Sequence, residues 1–234
     1  MWLQTREWQL ELLDDPGLSA AEVKSALAAL ERLNIISRGA GILWAEIKKL
    51  ARAQPQQRLR ILDLACGGGD VARALLNKAK RAEVLLTIAA CDINARSLEY
   101  ARRRAEAAGV HPHFFLLDAL RDPLPQGYDV VMCSLFLHHL KEHQAVALLE
   151  RMANATKRLL LVSDLQRNAR NYVLVWLGSR LLSRSPVVHQ DAVLSMKNAF
   201  SRPELADLAR RSGLKNFSLH TRCPARMLLR WEKS

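Results

Sequence analysis

No apolar run in this chain approaches the roughly 20 residues that a membrane-spanning helix needs. The longest, Tyr172 to Leu177, falls far short, so no membrane span is expected. Cysteine is scarce. Cys66, Cys91, Cys133 and Cys223 are scattered without a Cys-x-x-Cys pair, which excludes zinc-finger spacing and a disulfide framework. Three of the four fall in or beside strand-like apolar segments, the pattern of reduced, buried thiols, and the expected location is cytoplasmic. A basic, apolar leader is lacking as well, since Glu7, Glu11, Asp14 and Asp15 load the N-terminus with acid. Neither Gly-x-Gly-x-x-Gly nor Gly-Lys-Ser/Thr occurs, so the two best-known phosphate-gripping loops are excluded. There is no internal repeat, no low-complexity tract and no residue set for which a metal is expected.

Half the residues are apolar and a quarter are charged, as in an ordinary globular protein long enough for one sizeable core. The net charge of +12 is unusual. It admits an anionic partner, whether nucleic acid, an acidic carrier protein, an acidic substrate or a membrane surface, or simply a solvated basic face. The basic residues lie along helical segments, such as Lys78 to Arg81 and Arg102 to Arg104, with no aromatic residues interleaved. That disfavours nucleic acid as a partner.

The chain is organised around Ile61-Leu-Asp-Leu-Ala-Cys-Gly-Gly-Gly-Asp70. Leu59 to Leu64 reads as a buried parallel strand, three glycines make the turn, and Val71, Leu75 and Ala79 share one face of the helix that follows. Before it, Trp2 to Leu13 reads as a short amphipathic helix. Ser19-Ala-Ala-Glu22 is a capping box opening a second helix, and Ile42 to Ala53 is a third. Residues 1–57 are thus expected to be a helical N-terminal cap on an α/β core spanning 58–234. Within that core, strands at Val84 to Cys91, His113 to Leu117, Tyr128 to Ser134 and Arg158 to Ser163 alternate with helices at Asn94 to Ala108 and Lys141 to Ala155. The alternation predicts a doubly wound, mostly parallel sheet. After Asn171 to Leu182, a strongly apolar helix, Ser183 to Ala199 reads as irregular or weakly helical. Ser201-Arg-Pro-Glu204 opens a helix that stops at Gly213. Phe217 to Thr221 and Arg226 to Trp231, joined through Cys223-Pro224, should be antiparallel strands.

Ligands bind at the C-terminal edge of such a sheet, and nearly every strand here ends on a polar residue. Asp63 lies four residues before Gly67. Strand two ends at Asp92, followed by Ile93. Strand three ends at Asp118-Ala119, strand four at Ser134 and strand five at Asp164. An acid about twenty residues beyond a glycine loop can accept from both ribose hydroxyls, and one a strand further can accept from the adenine amine. This is a nucleoside site without a phosphate clamp.

With these residues in place, the chain resembles the class I S-adenosylmethionine-dependent methyltransferases over about Arg58 to Trp231. Asp63-Leu-Ala-Cys-Gly67-Gly-Gly69 resembles the family's acid-x-Gly-x-Gly-x-Gly motif, with Ala65 where the first glycine is usual. Asp92 matches the ribose-binding acid, Asp118-Ala119 the adenine pair, and Tyr128 to Ser134 the fourth-strand motif. The resemblance implies a Rossmann-like methyltransferase fold: a seven-stranded, mostly parallel sheet with an antiparallel last strand. It implies S-adenosylmethionine as cofactor and S-adenosylhomocysteine as product. The cofactor-binding set is then Asp63, Ala65, Cys66, Gly67, Gly69, Asp92, Ile93, Asp118, Ala119 and Ser134. The chemistry implied is methyl transfer from a sulfonium to a nucleophile, which leaves the protein to position the acceptor, exclude water and, for some acceptors, remove a proton.

The acceptor is approached by elimination. The chain lacks an Asn-Pro-Pro-Tyr motif, a Pro-Cys pair placed for pyrimidine attack and the Asp-Asp/Asn set of catechol-type enzymes. What remains at the cofactor edge is Leu137-His138-His139-Leu140, whose histidines can take a proton from a phenol or enol. They are the candidate catalytic residues, with His138 ahead and His189 next. A histidine pair that only caps or packs the following helix is the bland alternative. Residues 165–199 lie where small-molecule methyltransferases build a lid, with Tyr172, Leu174, Trp176 and Leu177 as an apolar face. The expected reaction is O-methylation of a small hydrophobic, phenolic or polyketide-like metabolite, of the kind met in secondary metabolism, by a monomer or homodimer. The rival readings are an RNA methyltransferase, suggested by the charge, and a non-catalytic scaffold with the same fold.

Overall fold

The computed structural model describes residues 3–14 and 17–233. Its centre is a seven-stranded sheet in the order β3-β2-β1-β4-β5-β7-β6. The strands are β1 (Leu59–Leu64), β2 (Leu86–Asp92), β3 (His113–Leu116), β4 (Tyr128–Ser134), β5 (Thr156–Leu165), β6 (Ser218–Arg222) and β7 (Arg226–Glu232). The pairs from β3 to β5 are parallel, and β7 runs antiparallel to both β5 and β6. A cis peptide at Cys223–Pro224 lies in the turn between β6 and β7.

Alternation along the strands sends successive side chains to opposite faces. Ile61, Ile88, Val130, Met132 and Leu161 pack on one face. There they meet α2 (Gly39–Ala53), α3 (Asp70–Arg81) and α4 (Ala95–Ala107). Leu62, Leu64, Val131, Cys133 and Leu160 pack on the other, beneath α5 (Glu142–Ala155) and α8 (Arg202–Arg211). Both faces are covered because parallel strands joined by right-handed crossovers place helices on each side. The strand order reverses between β1 and β4, and the cleft opens there. A second layer of helices closes over that edge: α1 (Ala20–Ile36), α6 (Ala169–Leu182) and α7 (Pro186–Asn198). No described helix is long and apolar enough to cross a membrane.

Three segments differ from the sequence reading. Within Trp2 to Leu13, Trp2 lies outside the described residues, and the remainder is an extended strap ending in a 3-10 turn at Leu12–Asp14. Its backbone bonds elsewhere in the fold instead of to itself. Asp191 accepts from the N–H groups of Leu12 and Leu13, and the amide of Asn198 exchanges two hydrogen bonds with Gln9. Residues 183–199, expected to be irregular or weakly helical, form a regular helix, α7, capped by Ser185 with Pro186 in its first turn. On α6 it is Leu174, Val175, Gly178 and Leu182 that line the chamber, Leu174 being exposed as well, while Trp176 and Leu177 are exposed and do not line it. Both capping boxes form as read, at Ser19 with Glu22 and at Ser201 with Glu204.

Candidate active site

The loop after β1 turns through three left-handed residues: Ala65 (φ 52°), Gly67 (φ 51°) and Gly69 (φ 66°). A Cβ on Gly67 would meet nothing within 4 Å, so this glycine leaves its main chain open to the cleft. Gly69 is set back from the cleft at the N-cap of α3. There a Cβ would come within 2.8 Å of Phe114 and 2.9 Å of Ala101, so it serves close packing and not ligand contact. Ala65 holds a conformation that costs an L-residue about 1–2 kcal/mol.

Asp63, Ala65, Cys66, Gly67, Asp92, Ile93 and Ser134 line one cleft of about 530 Å³, together with His139. Asp92 closes the loop: its Oδ2 accepts from Gly67 N–H at 2.7 Å and its Oδ1 from Asn94 N–H at 2.9 Å. Asp63 is buried, and its Oδ2 has no hydrogen-bond partner among the described residues. Burial, with the nearby Asp70 and Asp92 charges adding, pushes its carboxyl well above the usual range. Burial also raises the Cys66 thiol, which marks it as inert and not as a nucleophile. Asp118 and Ala119 line an adjoining hollow that shares Ala65, Ile93 and Phe136 with the cleft. There Asp118 Oδ1 accepts from Leu120 N–H at 2.8 Å.

Behind the cleft lies a smaller chamber of about 210 Å³, roofed by α1, α6 and α7. The two cavities share Leu13, Leu30, Asn34, Leu135 and His139 as walls. Glu11 and His138 line the inner one. His189, the third candidate, lies within α7 with Nε2 2.8 Å from the Ser183 carbonyl, a role in the fold and not in the chamber.

The two neighbouring histidines sit in different surroundings. His138 is 2% exposed, with Nδ1 2.6 Å from Asp164 Oδ1 and Nε2 3.5 Å from Glu11 Oε1. Burial alone would lower its pKa, but the two carboxylates, Asp164 foremost, hold it up at about 10. His139 is partly exposed, with Nε2 3.8 Å from Glu11 Oε2 and its ring 4.4 Å from that of His138. Burial opposes ionisation of Glu11 too, but His139, His138 and the Ser195 hydroxyl at 2.6 Å bring its pKa to about 2. Glu11, His138 and His139 present ligand atoms within 4.8 Å of one another. With Asp164 at Nδ1 of His138 and Glu11 facing both rings, the trio forms an ion-pair cluster.

Local sequence gave no sign of Glu11, which the strap delivers from far along the chain. Arg6 fixes that strap, donating to the carbonyls of Asn198, His138 and Leu140, and Trp8 Nε1 donates to the carbonyl of His139. Asp164 stood at a strand end in the sequence, but only the fold pairs it with His138.

A methyltransferase-domain family model matches residues 61–158. The demethylmenaquinone methyltransferase of Thermus thermophilus is 34% identical over 53% of this chain and 54% of its own length. The ubiquinone biosynthesis O-methyltransferase of Shewanella pealeana is 29% identical over 76% of this chain and 67% of its own. The chain therefore spans about half to two thirds of these relatives. Among solved structures, the magnesium protoporphyrin IX methyltransferase of Synechocystis with bound SAH superposes with a TM-score of 0.56 at 16% identity, over 84% of each chain. The mitomycin 7-O-methyltransferase gives 0.56 at 22% identity, over 75% of this chain and 49% of that one. At such identities the likeness is one of fold. The matched domain, the sheet order and the glycine loop with its acids together place the chain in the class I S-adenosylmethionine-dependent methyltransferases.

Proposed function

We propose that this chain transfers a methyl group from S-adenosylmethionine to a hydroxyl of a small aromatic or polyketide-like acceptor. The carrying observation is the small, largely apolar chamber that shares a wall, including His139, with the glycine-loop cleft. The residues of the cleft fit the cofactor. Asp63 offers an unpartnered buried oxygen suited to an ammonium group, Gly67 exposes main chain, and Asp92 stands where ribose hydroxyls are read. Asp118 and Ala119 border the hollow suited to adenine. When bound, the cofactor supplies an electrophilic methyl group carrying its own leaving group.

The protein's share is then positioning, desolvation and proton removal. The strap and the α1, α6 and α7 roof cover the chamber with mostly apolar side chains, and the less water it holds, the stronger the charge interactions inside it. His139, at the junction, takes the hydroxyl proton as the oxygen gains its methyl, and the Glu11 carboxylate stabilises the imidazolium formed. His138 acts as a positioning residue: already protonated, it fixes Glu11 on one side and Asp164 on the other. Among the curated relatives, the names concern demethylmenaquinone and ubiquinone biosynthesis, and a phenolic ring of that kind suits an apolar chamber with a base at its mouth.

The test is a screen of phenols, quinols and hydroxylated polyketides by mass spectrometry, with NMR locating the added methyl. Methylation of carbon, or of RNA in place of phenols, would overturn the reading. Asp92→Ala is expected to weaken S-adenosylhomocysteine binding by about 2–4 kcal/mol, the worth of the charge-assisted bonds it removes. Calorimetry giving an unchanged affinity would take Asp92 out of the cofactor site.

A further inference from the structure

Arg226, the first residue of β7, is a buried cation without an anion against it. It is 2% exposed, and no carboxylate lies within 4.0 Å of it among the described residues. Other buried guanidiniums in this fold are paired, Arg73 with Glu31 at 2.5 Å and Arg167 with Glu204 at 2.6 Å. The partners of Arg226 are all neutral. Nη2 donates to Asn34 Oδ1 at 2.6 Å and to Ser37 Oγ at 3.1 Å, Nε donates to Ser37 Oγ at 3.2 Å, and Nη1 makes a long contact of 3.4 Å to Ser134 Oγ.

The surroundings make this costly and deliberate. The guanidinium rests against Gly39, where a Cβ would lie 3.0 Å from Nη2 and 3.1 Å from Cζ, so the glycine makes its berth. Gly39 opens α2, and a helix N-terminus carries partial positive charge, which repels a cation and attracts an anion. The nearest acids felt by Arg226, Asp164 and Asp70, are engaged with His138 and Asn34. Burial lowers the Arg226 pKa only to about 10, so it stays charged at neutral pH. A buried charge of this kind is expensive unless something pairs with it. Arg226 also lines the inner chamber, beside Leu165, Pro224 and Ala225.

We propose that Arg226 is the receptor for an ionised oxygen on the acceptor: a carboxylate or acidic hydroxyl carried by the same aromatic body whose neighbouring hydroxyl faces His139. This rests on the proposed function and narrows it, since the substrate is then an anion. Nη1, whose one contact is the long one to Ser134, is the nitrogen left to donate a charge-assisted bond to a carboxylate or an enolate beside the apolar wall. It also gives part of the basic surplus a purpose, because an anionic acceptor is drawn toward a positive protein. The methionine carboxylate of the cofactor has the same chemistry and is the competing source.

The test is equilibrium calorimetry on the whole protein saturated with S-adenosylhomocysteine, using salicylate and its neutral isostere salicylamide as probes. Wild type should prefer salicylate by about tenfold or more, the worth of one charge-assisted bond. Arg226→Gln should erase that preference while leaving the affinities for salicylamide and for S-adenosylhomocysteine unchanged. Arg226→Lys, which keeps the charge but loses the bonds to Asn34 and Ser37 that aim it, should retain part of it. The wild-type comparison needs no variant, so the proposal can fail even if Arg226→Gln does not fold. A wild type indifferent to charge would overturn the proposal, as would a preference unchanged in both variants. So would a loss confined to S-adenosylhomocysteine, which would assign Arg226 to the cofactor. Preference for salicylate without methylation of any phenol would keep this inference and refute the proposed reaction; methylation without preference would do the reverse.

Discussion

His139→Asn is expected to leave cofactor affinity intact and to lower turnover by roughly 10²–10⁴, the usual range for loss of a general base. The expectation follows from where the ring sits. His139 belongs to the walls of both cavities, so it lies between the proposed donor cleft and the proposed acceptor chamber. Glu11, ionised because its pKa is held near 2, stands 3.8 Å from Nε2 and favours the imidazolium that proton removal creates. The measurement is the single-turnover rate of both proteins with a phenolic acceptor. Equal rates would show that the acceptor ionises unaided and that His139 only shapes the chamber.

Asp164→Asn should be the most destabilising single change in the site, by about 3–5 kcal/mol, because it leaves a buried imidazolium with half its counter-charge. Denaturant midpoints should show this, and His139→Asn should show far less. The pH dependence has a definite sign. The folded pKa of His138, about 10, lies above its ordinary 6.5, so its contribution is fully present below 6.5 and is lost as pH climbs through 10. The pKa values of Glu11 and Asp164 are depressed, so theirs is present above the ordinary carboxylate range and lost as pH falls, for Glu11 toward about 2. Wild type should therefore lose stability on the alkaline side, and Asp164→Asn should flatten that arm. An unchanged alkaline slope would mean that the pair is not an ion pair.

What the sequence made legible is what local patterning determines. The β1 turn, the two capping boxes, the strand ends and their acids are each written within a few residues, and they stand where they were read. The site's inner half is not local. His138 and His139 are adjacent and chemically identical, and only the arrival of Asp164 and Glu11 separates a buried imidazolium from a partly exposed ring. The strap carries apolar residues at helical spacing, yet Asp191 and Asn198 take its backbone bonds, so tertiary contacts override periodicity. On α6 the apolar residues encircle too much of the helix for spacing to say which face turns inward. Arg226 had no local signal, since an arginine opening a strand is ordinary until that strand is seen to be buried.

Asp63 has a calorimetric consequence. Burial, with the Asp70 and Asp92 charges adding, pushes its carboxyl well above the usual range. An ammonium group beside its unpartnered oxygen favours the carboxylate, so a proton carried by Asp63 leaves as the cofactor binds. Cofactor binding is then linked to proton release. Its heat, measured in buffers of differing ionisation enthalpy, should vary in proportion to that enthalpy. Affinity should rise with pH until the free protein has already lost the proton. Asp63→Asn should bind with a heat indifferent to the buffer, and a wild type equally indifferent would mean that Asp63 is ionised before the cofactor arrives.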